Sequence, residues 1–184
     1  KLLTYTPAVN KERAIAFFGK MDYRPNIDAA IWFIDHVMPG LQSDIRFYVV
    51  GAYPTSELLK RVSDRVVITG FLDDPYQFLS GMSAVIAPMQ SGGGIQNKVL
   101  ESMAIGQVNI VSPVAATPML GAEPGRDLLV AETPAQWQEA ITEVVNEPAQ
   151  FADIGKNAKA YIEQQFTWQM SGQIYVRYIE EVLS

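Results

Sequence analysis

The stretch Ser91-Gly92-Gly93-Gly94-Ile95-Gln96-Asn97-Lys98-Val99-Leu100-Glu101 holds the residue types best able to do chemistry in this sequence. Three consecutive glycines let the backbone turn tightly and let a bound group approach the chain closely. A helix read as starting near Gly94 or Ile95 points its free N–H groups and partial positive charge back into that loop, where phosphate is the usual occupant. Ile95, Val99 and Met103, with Leu100 and Ala104, form an apolar stripe at spacings of three and four. Lys98 and Glu101 fall off that stripe, one turn apart on a common face. Lys98 can add a cation to a phosphate pocket, and Glu101 can accept two hydroxyl hydrogen bonds of the kind a ribose diol offers. Neither familiar phosphate motif fits. A Walker loop needs Gly-Lys-Ser/Thr, but Lys98 stands between Asn97 and Val99. The dinucleotide fingerprint follows the first strand of its unit, and this run follows the fourth apolar segment. On glycines and charges alone, a phosphate pocket and a flexible loop with an exposed Lys98–Glu101 ion pair worth under about 1 kcal/mol stand equal.

A second cluster, Gly19-Lys20-Met21-Asp22-Tyr23-Arg24-Pro25-Asn26, follows the first apolar run. Lys20 and Arg24 can flank a diphosphate from the side opposite the glycines; read without that context they are two ordinary surface cations.

The elements that position these residues are legible in the apolar pattern. Continuous apolar runs closed by Gly or Pro predict buried strands over 14–18, 46–50, 66–69, 84–87, 108–111 and 127–130. Helical spacings predict helices over 26–37, 54–62 and 73–79, one ending at Ala104, and three closing helices over 134–146, 149–165 and 168–183. Strands alternating with helices specify an α/β fold: a single Rossmann-like domain over 1–184, with a parallel sheet of about six strands, helices on both faces and a helical C-terminus. In such sheets ligands bind beyond the carboxyl ends of the strands, where strand order reverses. That rule directs attention to the loops after Phe18, Val50, Thr69 and Ala87.

Composition narrows the function classes. The chain has 184 residues, 48% hydrophobic, and its mean hydropathy of +0.05 excludes a disordered chain. No run approaches the ~20 apolar residues that span a bilayer, and no signal-peptide pattern opens the sequence. The start at Lys1 without an initiator Met reads as a fragment. A net charge of −6 argues against broad nucleic-acid binding. The absence of Cys agrees with a cytoplasmic location, and a single histidine, His36, excludes a His-cluster metal site. His36 near a helix end, Trp32, Phe33, Trp137 and Trp168 read as packing residues, Glu123 as part of a turn, and Glu180-Glu181 as a solvated face.

Taken together, these stretches resemble the nucleotide-sugar-binding, C-terminal half of a GT-B glycosyltransferase of family 4, and within it bacterial exopolysaccharide sugar transferases. The residues that carry the resemblance are Phe17-Phe18-Gly19-Lys20 with Arg24-Pro25-Asn26, Val49-Val50-Gly51, Thr69-Gly70-Phe71-Leu72-Asp73, and Ala87-Pro88 followed by the block from Gly92 to Gly106. The resemblance implies a retaining transferase acting on a nucleoside-diphosphate sugar in cell-surface polysaccharide synthesis, with a glycan or lipid-linked acceptor. It implies that Lys20 and Lys98 hold the donor diphosphate, with Arg24 sharing that work, and that Lys20, Lys98 and Glu101 are the catalytic residues. The backbone of Gly92, Gly93 and Gly94, together with Ile95 and Asn97, completes the phosphate site, and Glu101 binds the ribose hydroxyls. Gly93 stands where relatives carry the first of two paired glutamates, which contacts the sugar, so backbone N–H groups of Gly93 and Gly94 take that place. Gly70, Phe71 and Leu72 face the base, and Gly51 lets the donor lie close to the second strand.

No cofactor or metal is implied, because Lys supplies the charge. Asp73-Asp74 are adjacent rather than spaced like an Asp-x-Asp metal pair, and read as the cap of the helix at Pro75. The implied partners are the nucleotide sugar and an N-terminal acceptor domain absent from this sequence, without which the fragment is expected to be inactive. No nucleic acid and no membrane span are implied, although the resemblance leaves room for work at the inner membrane face. Two other readings stand beside it: a GT-B-like nucleotide-sugar epimerase, which needs acid–base side chains near the sugar, and a non-enzymatic Rossmann-like interaction module with an empty pocket.

Overall fold

Short apolar runs separated by glycine and proline become six strands in a computed structural model that describes residues 2–8 and 11–166. The strands are β1 (Glu12–Phe18), β2 (Arg46–Val50), β3 (Val66–Gly70), β4 (Met82–Ala87), β5 (Asn109–Val111) and β6 (Leu129–Val130). All pair in parallel, in the order β3-β2-β1-β4-β5-β6. Strand order therefore reverses between β1 and β4. These two central strands are the most continuously buried, with Ala14 to Phe18 and all six residues of β4 shielded from solvent. Their unbroken apolar sequence reflects that both faces of the sheet are covered.

The helices are α1 (Arg24–His36), α2 (Ser56–Leu59), α3 (Pro75–Ser80), α4 (Asn97–Ala104), α5 (Pro113–Ala116), α6 (Pro134–Asn146) and α7 (Ala152–Gln165). Proline lies in the first turn of α1, α3, α5 and α6, where its missing N–H costs nothing. Asp74 caps α3 by accepting from the Gln77 N–H at 3.0 Å, as its sequence position predicts. Thr133 and Gln136 close a reciprocal capping box on α6.

Alternation along β1 divides the core. Ile15 and Phe17 face one side with Phe33 and Trp137, while Ala14, Ala16 and Phe18 face the other with Leu79 and Val85. Phe33 stacks against Phe47 at 4.7 Å between ring centres and meets Trp137 edge-on at 5.9 Å. Each such aromatic contributes about 1.5–3 kcal/mol through burial alone. The packing reading of Phe33 and Trp137 thus agrees with the structure.

Three expected elements change. The helix expected over 54–62 shrinks to the single turn of α2. The sixth strand contracts from 127–130 to Leu129–Val130, because the Asp127 carboxylate turns back to accept the Glu123 N–H at 2.9 Å. The helix expected from Gly94 or Ile95 starts at Asn97. Gly94 adopts φ +80° and Gln96 an extended conformation, so the chain cannot become helical before Asn97. Ile95 consequently leaves the apolar stripe and stands 45% exposed in the loop. The helix expected over 168–183, with Trp168 and Glu180-Glu181, lies outside the described residues. Among the described residues no helix is long and apolar enough to cross a membrane.

Candidate active site

A cleft of about 510 Å³ opens beyond the carboxyl ends of β1 and β4, at the reversal of strand order. Its walls come from the loops after β1, β2, β3 and β4 and from the first turns of α3 and α4. Two of these loops touch backbone to backbone. Gly19 N–H donates to Val50 O at 3.0 Å, Met21 N–H donates to Ala52 O at 2.9 Å, and a Cβ on Gly51 would lie 1.8 Å from Gly19 O.

Lys98 enters the cleft from the first turn of α4, and most of its side chain is covered. Its Nζ donates to Asn26 Oδ1 at 2.7 Å and lies 5.2 Å from the centre of the Phe17 ring. Gln96 Oε1 and Met89 Sδ are further acceptors at 3.4 and 3.6 Å. Burial pushes the Lys98 ammonium down to about 8, against a smaller opposing pull from Glu101. No side chain caps α4, so the positive end of the helix also faces the cleft. The exposed Lys98–Glu101 ion pair allowed by the sequence does not form: among the described residues the salt bridges do not include it, and Lys98 is held by Asn26.

Glu101 lies one turn deeper and also lines the cleft. Burial raises its carboxyl, and the hydroxyl of Tyr76 donating to it together with the charge on Lys98 pull it back down. Tyr76 is itself pushed up to about 12 by burial and by the Glu101 carboxylate. A cation and a hydrogen-bonded carboxylate thus share one wall, one suited to an anion and the other to hydroxyl groups.

The other sequence-predicted residues divide. Lys20 lines the cleft from its rim, 65% exposed, 3.2 Å from Asp22 and 5.6 Å from the centre of the Tyr53 ring. Gly93, Ile95, Asn97, Phe71 and Leu72 also line it, with Phe71 exposed at the mouth. Gly92 and Gly94 contribute turn conformations at φ +140° and +80°, and Gly70 a turn at +69°, without forming the wall. Arg24 does not reach the cleft. Its guanidinium is 2.7 Å from Asp28 and 3.4 Å from Glu57, because the first turn of α1 directs it along the helix surface. Sequence reasoning assigned no role to Asn26, Phe17 or Tyr76. A polar residue on the apolar face of α1 was the available signal for Asn26; Tyr76 had none, since it meets Glu101 only through the fold.

The model of the family described as glycosyl transferases group 1 matches residues 12–147. The chain belongs to that family. All four strand ends and the loops after them that build the cleft, from β1 through α4, fall inside the matched residues. Among curated proteins none matches the sequence. Solved structures match the fold of this glycosyl transferase chain across most of its length. TarM from S. aureus superposes with a TM-score of 0.79 at 16% identity, covering 95% of this chain and 36% of its own. HepE from Anabaena, solved with UDP and glucose, gives 0.75 at 14% identity, covering 92% of this chain and 48% of its own. The C-terminal domain of a group 1 family glycosyl transferase from Francisella tularensis, LpcC, gives 0.67 at 15% identity and is covered over 98% of its length. The chain therefore spans about a third to a half of the first two proteins and nearly all of the isolated domain. Its fold is that of a GT-B half-domain.

Proposed function

We propose that this chain is the donor-binding domain of a retaining, family 4 glycosyltransferase that takes a nucleoside-diphosphate sugar. Its place would be bacterial cell-surface polysaccharide synthesis in the cytoplasm, with an acceptor that is a glycan or lipid-linked. The acceptor site belongs to a second, N-terminal domain, so the chain alone binds donor without transferring sugar. The observation that carries this reading is the pairing of Lys98 with Glu101 on one wall of the cleft at the strand-order reversal. A diphosphate meets the Lys98 ammonium and the open end of α4, Lys20 closes over it from the rim, and Glu101 accepts the ribose hydroxyls. Phe71 and Leu72 offer the base an apolar surface, and HepE, which shares the fold, was solved with UDP and glucose.

The chemistry follows from where charge develops. When the bond between the sugar's anomeric carbon and the diphosphate oxygen breaks, its electron pair stays on that oxygen. A fixed ammonium and a helix N-terminus aimed at that oxygen stabilise it more than they stabilise the ground state. The charge comes from the chain's own lysines, and no metal is assigned a part.

Calorimetric titration with UDP and GDP tests the reading, and no binding of either at millimolar concentration overturns it. Roles separate with a simpler anion. Glu101→Ala weakens UDP about tenfold, as loss of a hydrogen bond to a charged group does, while leaving inorganic pyrophosphate unchanged. Equal weakening of both ligands would contradict the ribose role.

The burial of Lys98 also makes binding depend on pH. With the free ammonium titrating at about 8, a bound diphosphate favours its charged form. Affinity for UDP is therefore highest below about pH 8 and falls by up to tenfold per unit above it. Folding stability runs the opposite way: the folded value lies below the ordinary 10.5, so this group adds stability as pH rises from about 8 towards 10.5. UDP affinities that are equal at about pH 7 and about pH 9 exclude the charged Lys98 contact.

A further inference from the structure

Asn26 is 4% exposed, in the first turn of α1, and both ends of its amide are engaged. Nδ2 donates to Lys20 O at 2.9 Å, and Oδ1 accepts from Lys98 Nζ at 2.7 Å. An ammonium only donates and a carbonyl only accepts, so the two contacts fix the amide in one orientation. The space around it is closed: a Cβ on Gly19 would lie 2.8 Å from Asn26 Nδ2 and 3.4 Å from Lys98 Cε. The loop after β1, the first turn of α1 and the first turn of α4 meet at this one side chain.

We infer that Asn26 is a positioning residue, whose locked amide holds the Lys98 ammonium at the cleft wall where the diphosphate of a donor meets it. The inference rests on the donor-binding reading for its consequence, and on geometry alone for the contact. Without Asn26, the remaining acceptors of Lys98 are the longer contacts to Gln96 and the Met89 sulfur, with the Phe17 ring beneath. Besides Lys98, the titratable groups lining the same cleft are Glu101, Lys20, Tyr23 and Tyr76. None of them stands as close to Lys98 as a neutral amide that cannot turn away. The contact favours the charged ammonium and opposes the burial that discharges it.

NMR titration of the isotope-labelled chain tests the contact without any substitution. The Asn26 side-chain amide signals are expected to shift with the same midpoint as the Lys98 ε-carbon; silence of Asn26 across that range overturns the inference. Two variants then move the midpoint in opposite directions. Asn26→Asp raises it by about one unit by adding a charge, and Asn26→Leu lowers it by removing the acceptor. UDP affinity follows, its loss with rising pH moving up for the first and down for the second. A merely structural role would weaken the fold, seen by circular dichroism, without moving the Lys98 midpoint. If Asn26→Leu fails to fold, the unmodified chain and Asn26→Asp decide. Coupled titration of Asn26 and Lys98 without UDP binding keeps the positioning and rejects the donor site. UDP binding with a Lys98 midpoint indifferent to Asn26 does the reverse.

Discussion

Replacing Lys98 with alanine lowers UDP affinity by tenfold to a hundredfold, about 1.5–3 kcal/mol, the range for a hydrogen bond made by a charged group. The magnitude follows from the setting. On an exposed surface a single lysine contributes little to anion binding, because water and salt screen it. Lys98 is largely covered, rests against the face of Phe17 and is held by Asn26, so its charge acts at short range in a poorly solvated pocket. Lys20, 65% exposed and already 3.2 Å from Asp22, cannot replace it. The same substitution also removes the fall in affinity above about pH 8, since the titrating group is gone. Calorimetry of the variant at neutral pH, with its fold checked by circular dichroism, measures the effect. An affinity within twofold of the parent shows that the diphosphate is held elsewhere.

Gly51→Ala destabilises the chain by about 3 kcal/mol or more, since a backbone atom rather than a flexible side chain occupies the space. The added Cβ would lie 1.8 Å from Gly19 O and 2.9 Å from Gly19 C. Gly51 also sits at φ +151°, a conformation that side-chain-bearing residues rarely adopt. Relief requires the loops after β1 and β2 to separate, and both belong to the cleft. The contacts at risk are Gly19 N–H to Val50 O and Met21 N–H to Ala52 O, at 3.0 and 2.9 Å. For a chain of this size the loss corresponds to a fall in Tm of about 6–12 °C. Thermal unfolding measures it, and a Tm within about 2 °C of the parent means that the loops yield without strain. Gly93 makes a useful contrast, because a Cβ there meets no atom within 4 Å. Gly93→Ala perturbs the cleft wall without straining the fold.

The glycines show how unequal residues of one type become in a fold. In sequence the run of Gly92, Gly93 and Gly94 is the conspicuous feature, while Gly19 and Gly51 merely end apolar runs. In three dimensions Gly19 and Gly51 are crowded, whereas a Cβ on Gly93 or Gly94 meets nothing within 4 Å and one on Gly92 meets only the Gln96 side chain, at 3.2 Å. Local pattern reports where the chain can turn. It does not report which other segment lies against the turn.

The charged residues divide for the same reason. Arg24 and Lys20 belong to one loop and looked equivalent in the sequence. Arg24 falls in the first turn of α1, where Asp28 one turn on and Glu57 of α2 capture it, 2.7 and 3.4 Å away. Lys20 precedes the helix and stays at the rim of the cleft.

Local order carries the alternation of strands and helices, the cap before Pro75, the buried central strands, and the presence of Lys98 and Glu101 on one face of α4. Those properties depend on apolar periodicity and on hydrogen bonds between residues within a turn or two of each other, and both are written in local order. The start of the helix at Asn97, the turn of Arg24 away from the cleft, the donation of Tyr76 to Glu101 and the hold of Asn26 on Lys98 across a separation of 72 residues come from long-range packing. Each of these rests on which chain segments the parallel sheet brings side by side. That juxtaposition is fixed by burying both faces of β1 and β4 at once, a condition on the whole chain that no short stretch of it contains.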